Sequence, residues 1–328
     1  MQFDKVLDIS KKSDEIKKTD KELFKLIPDI EDWLLAGRIT AYLLQIGKEN
    51  ISKESKLLDI ANLIENQIIE LNKISKHVIK LAFPVNMSLN NCAAHYSAGI
   101  KDKSVFGSSI IKLDIGVNVN GAIGDAAITI DLTGKNKNLA SAVEEACLKA
   151  IEAVRPSLNT SELGKIIETT IKSYKLNPIK NLGGHQINRY NLHAGVFVPN
   201  YKSGGNEKIE KGDILAIEPF ASTGKGIAKE SGKAEIFMIS QTKKIKDRNT
   251  KKILNSIDYF DGLPFSGLNL INLSEKNTEE KVNKAIAHLL ELDMLYAFPP
   301  LSDSKGTLTS QFEHTVIVGE KAIIITIL

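Results

Sequence analysis

Two aspartates, Asp114 and Asp125, stand in the stretch LDIGVNVNGAIGDAAITIDL (residues 113–132), which carries no other charge before Asp131. Carboxylates brought together repel, and at least one pKa rises unless a cation or a proton sits between them. A divalent metal site is the chemistry such a pair could serve. For an isolated D-x10-D pair, the solvated face of a hairpin is the simpler alternative. The stretch is rich in Ile, Val and Leu and breaks at Asn120-Gly121, so it reads as a β-hairpin closed by a two-residue type I′ turn. That turn pairs Val119 with Ala122 and sets Asp114 opposite Ala127. Side chains alternate faces, so Asp114 and Asp125 share one face as diagonal neighbours, about 7 to 8 Å apart at Cα. The opposite face holds Leu113, Ile115, Val117, Val119, Ala122, Gly124, Ala126, Ile128 and Ile130, and belongs in a core.

Partners for the pair are sought among the remaining His and Glu residues. NLGGHQINRYNLHAG holds His185 and His193, DILAIEPF holds Glu218, SQFEHTVIV holds Glu313 and His314, and LAFPVNMSLNNCAAHYS holds His95. Each alone has a plain reading as a loop histidine, a strand-end glutamate or a histidine bonded to backbone. Together they supply two Asp, two Glu and several His with no thiol, a set suited to two divalent ions such as Mn, Fe, Co or Zn. Cys92 and Cys147 are the only cysteines. Their unlike contexts fit a reducing compartment and argue against a thiolate zinc site. FASTGKG lacks the first Gly and the final Ser/Thr of a phosphate-binding P-loop, so nucleotide binding is rejected there.

The elements that must position these residues form one large domain or two, since 328 residues can bury a sizeable core. The net charge of +3 comes from lysines spread along the chain without a dense basic block. Nucleic acid is therefore not demanded, although a weak nonspecific contact with RNA stays open. No run approaches the roughly 18 to 20 apolar residues that span a bilayer, and the charged N-terminus lacks a signal-type apolar region, so a cytoplasmic protein is expected. Helical spacing runs from about 31 to 47 and from about 55 to 71. The pattern Ile60, Leu63, Ile64, Glu65, Ile68 recurs at an offset of 103 as Leu163, Ile166, Ile167, Glu168, Ile171. A duplicated α/β half would place a site between the halves. Residues 1–26 read as an appended polar helix or a partly ordered arm. Residues 227–296 read as a helical subdomain inserted between two strands. Within it RNTKKILNSI is helical, Asn277 with Glu280 caps a helix whose apolar face is Val282, Ala285, Ile286 and Leu289, and His288 is a solvated side chain.

The stretches LAFPVNMSLNNCAAHY, the D-x10-D hairpin, NLGGHQINRYNLHAG, AIEPFASTGKG and FPPLSDSKGTLTSQFEHT occur in that order. With them the chain resembles the methionine aminopeptidases of type 2, in their archaeal form, from about Ile30 to Leu328. The resemblance implies an α/β (α+β) pseudo-twofold "pita-bread" (creatinase/aminopeptidase) fold over 27–328, with a central antiparallel sheet and the helical insertion. It implies Asp114, Asp125, His185, Glu218 and Glu313 as ligands of two divalent ions (Co, Mn, Fe, Zn or Ni), with Asp125 and Glu313 bridging. Asp114 would complete one ion, and His185 with Glu218 the other. A hydroxide shared by the ions would attack the carbonyl of an N-terminal methionine, with Glu218 carrying the proton. By the same analogy His95 contacts the scissile amide, and His193 the developing oxyanion or the substrate backbone. Phe83, Leu192 and Phe298 are the candidates for the methionine pocket, where aromatic rings favour contact with sulfur. A small second residue, nascent N-termini as substrates, a transient ribosome contact, no membrane, no specific nucleic acid and a monomeric state complete the expectation. An Xaa-Pro dipeptidase and a non-catalytic RNA- or ribosome-binding protein of the same fold are the alternatives.

Overall fold

Asn120 and Gly121 take positive φ of 52° and 92°, which is the backbone of a type I′ turn. They join the ten-residue strands Ile110–Val119 and Ala122–Asp131, paired Val119 to Ala122, Gly116 to Asp125 and Asp114 to Ala127. The expected register and the shared face of the two aspartates are therefore present. On the other face Leu113, Ile115, Val117, Val119, Ala122 and Ala126 are fully buried, while Ile128 and Ile130 are only partly so. Strands Ile79–Leu81 and Asn86–Leu89 flank Ile110–Val119 at its two ends. The helices Ile30–Asn50 and Leu57–Ile74 cover the apolar face in one core cluster. The first of these helices lies backbone to backbone on the hairpin. A Cβ on Gly124 would sit 2.5 Å from the Cα of Gly37, and the Thr40 hydroxyl donates to the Gly124 carbonyl at 2.9 Å.

The second half repeats this plan. Helices Lys137–Ala153 and Thr160–Ser173 cover a five-stranded antiparallel sheet ordered Ala322–Ile324, His314–Val318, Ile214–Ile217, Gly183–Ile187, Phe197–Pro199. The helices that start at Leu57 and Thr160 stand at the offset seen in the sequence. Their matched positions share burial: Ile60, Ile64 and Ile68 are buried like Leu163, Ile167 and Ile171, and Leu63 and Glu65 are half-buried like Ile166 and Glu168. The halves meet along one seam. Ala127 bridges to Glu313, whose N–H donates to the Ala127 carbonyl at 2.9 Å. On either side a threonine hydroxyl closes the gap. Thr315 accepts from Asp125 N–H at 2.8 Å and donates to the Asp125 carbonyl at 2.7 Å, and Thr129 donates to the Gln311 carbonyl at 2.7 Å.

The computed structural model describes residues 2–328. At its start lie three short helices, Gln2–Leu7, Ser10–Thr19 and Lys21–Leu26, rather than a single helix or a loose arm. Val6, Ile16 and Leu23 anchor them in the core, and Lys211 holds Asp20, Glu22 and Glu320 together. Anchors this sparse leave little periodicity for a sequence to show. Residues 227–296 are not only helical. Besides the helices Arg248–Ile257, Gly267–Leu273 and Glu279–Glu291 they form a sheet ordered Phe265–Ser266, Ile236–Ile239, Leu295–Phe298, over their own apolar cluster. Two details depart from expectation. Asn277 precedes the capping position and donates to the Leu270 carbonyl at 2.7 Å instead. His288 is half-buried, with Nδ1 2.9 Å from the Thr250 hydroxyl, so it ties two helices together. The basic residues are also less evenly spread than their number suggests: Lys243, Lys244, Lys246, Arg248, Lys251 and Lys252 are all exposed on this segment. Among the described residues no helix is long and apolar enough to cross a membrane.

Candidate metal centre and active site

Each of the five proposed ligands comes from a strand or a strand end that faces the seam. The hairpin contributes Asp114 and Asp125, Gly183–Ile187 contributes His185, Glu218 directly follows Ile214–Ile217, and Glu313 directly precedes His314–Val318. His314 pairs with Ile217, so one further antiparallel step sets Glu313 opposite Glu218. Asp125, His185 and Glu313 offer donor atoms within 4.8 Å of one another. His185 Nε2 lies 3.4 Å from Glu218 Oε1 and 3.8 Å from Asp125 Oδ2. Asp114 and Glu218 join the group through Gln311, whose Nε2 donates to Asp114 at 3.4 Å, Glu218 at 3.3 Å and Glu313 at 3.5 Å.

The electrostatics of this cluster call for cations. Burial holds all four carboxylates well above their ordinary pKa, with Asp114 pushed up to about 7, and mutual repulsion raises Asp125, Glu218 and Glu313 further. Among the described residues no lysine or arginine pairs with any of them. One amide at long hydrogen-bonding distance is weak compensation. Asp114 Oδ1, Asp125 Oδ1, His185 Nδ1, Gln311 Oε1 and Glu313 Oε1 are buried without partners, five of the eight such atoms in the described residues. Buried polar atoms are rarely left so, and their concentration here fits hard or borderline dications. His185, lowered to about 3 by burial and then by the neighbouring His193, is a neutral imidazole at neutral pH and ready to ligate.

Around the centre the remaining candidates divide into an apolar and a polar side. The Phe83 ring lies over Gly116, where a Cβ would meet it at 2.3 Å, on the hairpin face that bears the carboxylates. Phe83 and Leu192 belong to one buried apolar cluster. The His193 ring lies 4.4 Å from the His185 ring, and burial lowers its pKa. His95, at φ +64° just after Cys92–Ala94, is lowered to about 4, first by burial and then by His193. Its ring stands edge-on to Phe298 at 5.9 Å. Beyond His95 opens a cleft of about 580 Å³ lined by Ser231, Glu235, Glu279, Asn283 and Ser302 among others. His314 turns away from the centre, with Nδ1 2.8 Å from the Thr326 hydroxyl.

Two residues escaped sequence reasoning. Gln311 and Lys112 each stand two positions before a proposed ligand, Glu313 and Asp114, and strand alternation puts each on that residue's face. That periodicity was a usable signal for both. Lys112 is fully buried, donates to the Asn90 carbonyl at 2.9 Å, and is lowered to about 7 by burial.

Comparisons with known proteins identify the family and the fold. A methionine aminopeptidase of Thermococcus onnurineus is 39% identical over 302 residues, spanning 90% of this chain and 98% of that protein. Among solved structures, a thermophilic Arx1 superposes with a TM-score of 0.76 at 16% identity, covering 90% of this chain and 89% of that one. A methionine aminopeptidase of Thermotoga maritima superposes at 0.65 with 21% identity, covering 92% and 97%. At such identities the two structures establish the shared fold, the pseudo-symmetric pita-bread arrangement, and no more. A sequence profile for metallopeptidase family M24 matches residues 34–320, and with near-complete coverage of its relatives the chain belongs to that family.

Proposed function

We propose that this chain is a metal-dependent aminopeptidase that removes the N-terminal methionine from peptides and nascent proteins, preferring a small second residue. The observation that carries this reading is the buried cluster of four carboxylates and one neutral imidazole, with an apolar wall on one side and, beyond His95, an open cleft. Asp114, Asp125, His185, Glu218 and Glu313 would hold the divalent ions. Such ions supply an activated water and polarise the scissile carbonyl.

The chain's own residues do the rest. Glu218, held well above the ordinary carboxylate range by burial and by repulsion from Asp125 and Asp114, moves a proton toward the departing amine. His95 is neutral near pH 7 and bonds the scissile amide without bringing a second positive charge to the centre. His193 donates to the substrate carbonyl as its oxygen gains charge. Phe83 and Leu192 receive the methionine side chain, and Phe298 steadies His95 at the pocket's edge. The substrate's free α-amine would be received on the Asp114 side of the cluster, which would confine cleavage to a chain's first residue. The rest of the substrate leaves through the cleft, where Ser231, Asn283 and Ser302 offer partners to a backbone with unpaired N–H and C=O groups. The catalytic unit spans 27–328 with 227–296 inserted, and it acts in the cytoplasm on N-termini as they emerge, with transient ribosome contact.

The test is to strip the protein with a chelator, restore Mn, Fe, Co, Zn or Ni singly, and follow methionine release from Met-Gly-X, Met-Leu-X and an Xaa-Pro peptide. Metal-restored cleavage of Met-Gly-X above the other two is expected. Preference for Xaa-Pro would assign the chain to the dipeptidases of this fold. Inactivity of folded, metal-loaded protein on all three would favour a binding role.

A further inference from the structure

Arg189 lies between His185 and His193, and no step above uses it. Its loop is a tight turn in which Asn188 and Asn191 bond each other's backbones at 2.9 Å in both directions, with Tyr190 at φ +56° between them. The tip of this turn sits on the tip of the hairpin that bears Asp114 and Asp125. Tyr190 N–H donates to the Gly121 carbonyl at 3.0 Å, and the Tyr190 ring covers Gly121 where a Cβ would meet it at 2.4 Å.

The Arg189 guanidinium locks that contact from the side. One nitrogen donates to the Asn120 carbonyl at the hairpin tip, and the other bonds Asp32 at 2.9 Å and the carboxylate of Asp29. Asp32 is 16% exposed and also accepts from Asn120 Nδ2 at 3.2 Å. One planar group thus joins the start of helix Ile30–Asn50, the turn of the ligand-bearing hairpin, and the loop leading to Leu192 and His193. A lysine could not serve as well, because its ammonium lacks the rigid fork that reaches several acceptors at once. Asn191 then accepts from His193 N–H at 3.2 Å, carrying the loop's position to the histidine backbone.

We propose that Arg189, held by Asp32, is a positioning residue that sets Leu192 and His193 against the metal centre, and so governs turnover and first-residue selectivity rather than ion binding. This rests on the aminopeptidase reading above. The experiment compares Arg189→Ala, Arg189→Lys and Asp32→Asn with the wild type. It measures kcat and KM on Met-Gly-X and Leu-Gly-X, ions bound per chain, and Tm. A displacement of about 1 Å at reacting groups costs on the order of 100-fold. The expected result is a fall of about 10- to 100-fold in kcat/KM, mostly in kcat, with a narrowed preference for Met over Leu and unchanged ion content. Added guanidinium should partly restore Arg189→Ala. Unchanged kcat and selectivity in folded Arg189→Ala, or losses that track ion content or Tm across the variants, would overturn the proposal. Should Arg189→Ala fail to fold, Arg189→Lys decides by the same criteria. Inactive wild type would instead remove the aminopeptidase reading, and this inference with it.

Discussion

The first half of the molecule delivers two of the proposed ligands on one hairpin of two ten-residue strands, whereas the second delivers three from three separate strands of four or five residues or their ends. The long hairpin fixes Asp114 and Asp125 by its own pairing. His185, Glu218 and Glu313 depend instead on three strands finding one another and on the seam at Ala127 and Glu313. One part of the proposed metal centre is therefore set by local geometry and the other by tertiary assembly. The matched glutamates of the repeated helix differ in the same way. Glu65 accepts from Asn269 and Asn272 of the insertion at 2.6 Å each, and burial raises its pKa. Glu168 accepts from Lys172 and from Lys202 N–H, and the lysine bond lowers its pKa. One pattern thus serves as a docking point for a subdomain in one half and as a surface brace in the other.

Substitutions at the seam should break the comparison most severely. Asp125→Asn in the first half and Glu313→Gln in the second each remove a carboxylate that the proposal sets between two ions. Each should cost several kcal/mol of transition-state stabilisation, about 10³-fold in kcat/KM, with bound metal lost and circular dichroism unchanged. Equal losses from both halves are expected, and full activity in either would sink the bridging assignment. His193→Ala tests the second half without touching a ligand. Turnover should fall about 100-fold while ion content stays at the wild-type value, and proportionate metal loss would move His193 among the ligands. The smallest effect separates the two glutamates. Glu65→Ala leaves two asparagine amides without their acceptor and should cost about 1 to 3 kcal/mol in denaturant unfolding. Glu168→Ala, at a surface ion pair, should stay within about 0.5 kcal/mol. Equal costs would mean that Glu65 does not hold the insertion.

The same contrast decides which parts of the molecule are legible in its residues. Strict alternation around Asn120-Gly121 specifies the hairpin, its register and the shared face of Asp114 and Asp125 by itself. The helical repeat at offset 103 does the same for the pseudo-symmetry, because amphipathic burial repeats with the chain. His185, Glu218 and Glu313 are legible as candidates from residue type, but only the resemblance selects them from the other His and Glu, since short strands such as Ile214–Ile217 carry too few residues to declare a face. Gln311 escaped notice although alternation from Glu313 points to it. The terminal helices and the small sheet of the inserted segment are hidden for different reasons: the helices are anchored by isolated buried residues such as Ile16 and Leu23, and the strands Ile236–Ile239, Phe265–Ser266 and Leu295–Phe298 are too short to show alternation.

The most direct measurement is a titration of stripped protein with Co or Mn, following ions bound per chain and methionine release together, for wild type beside Asp125→Asn and Glu313→Gln. Two ions per chain in the wild type, activity rising with their binding, and loss of both properties in each variant are expected. Full activity with no bound ion, or ion binding undisturbed by both substitutions, would contradict a dinuclear centre built across the two halves.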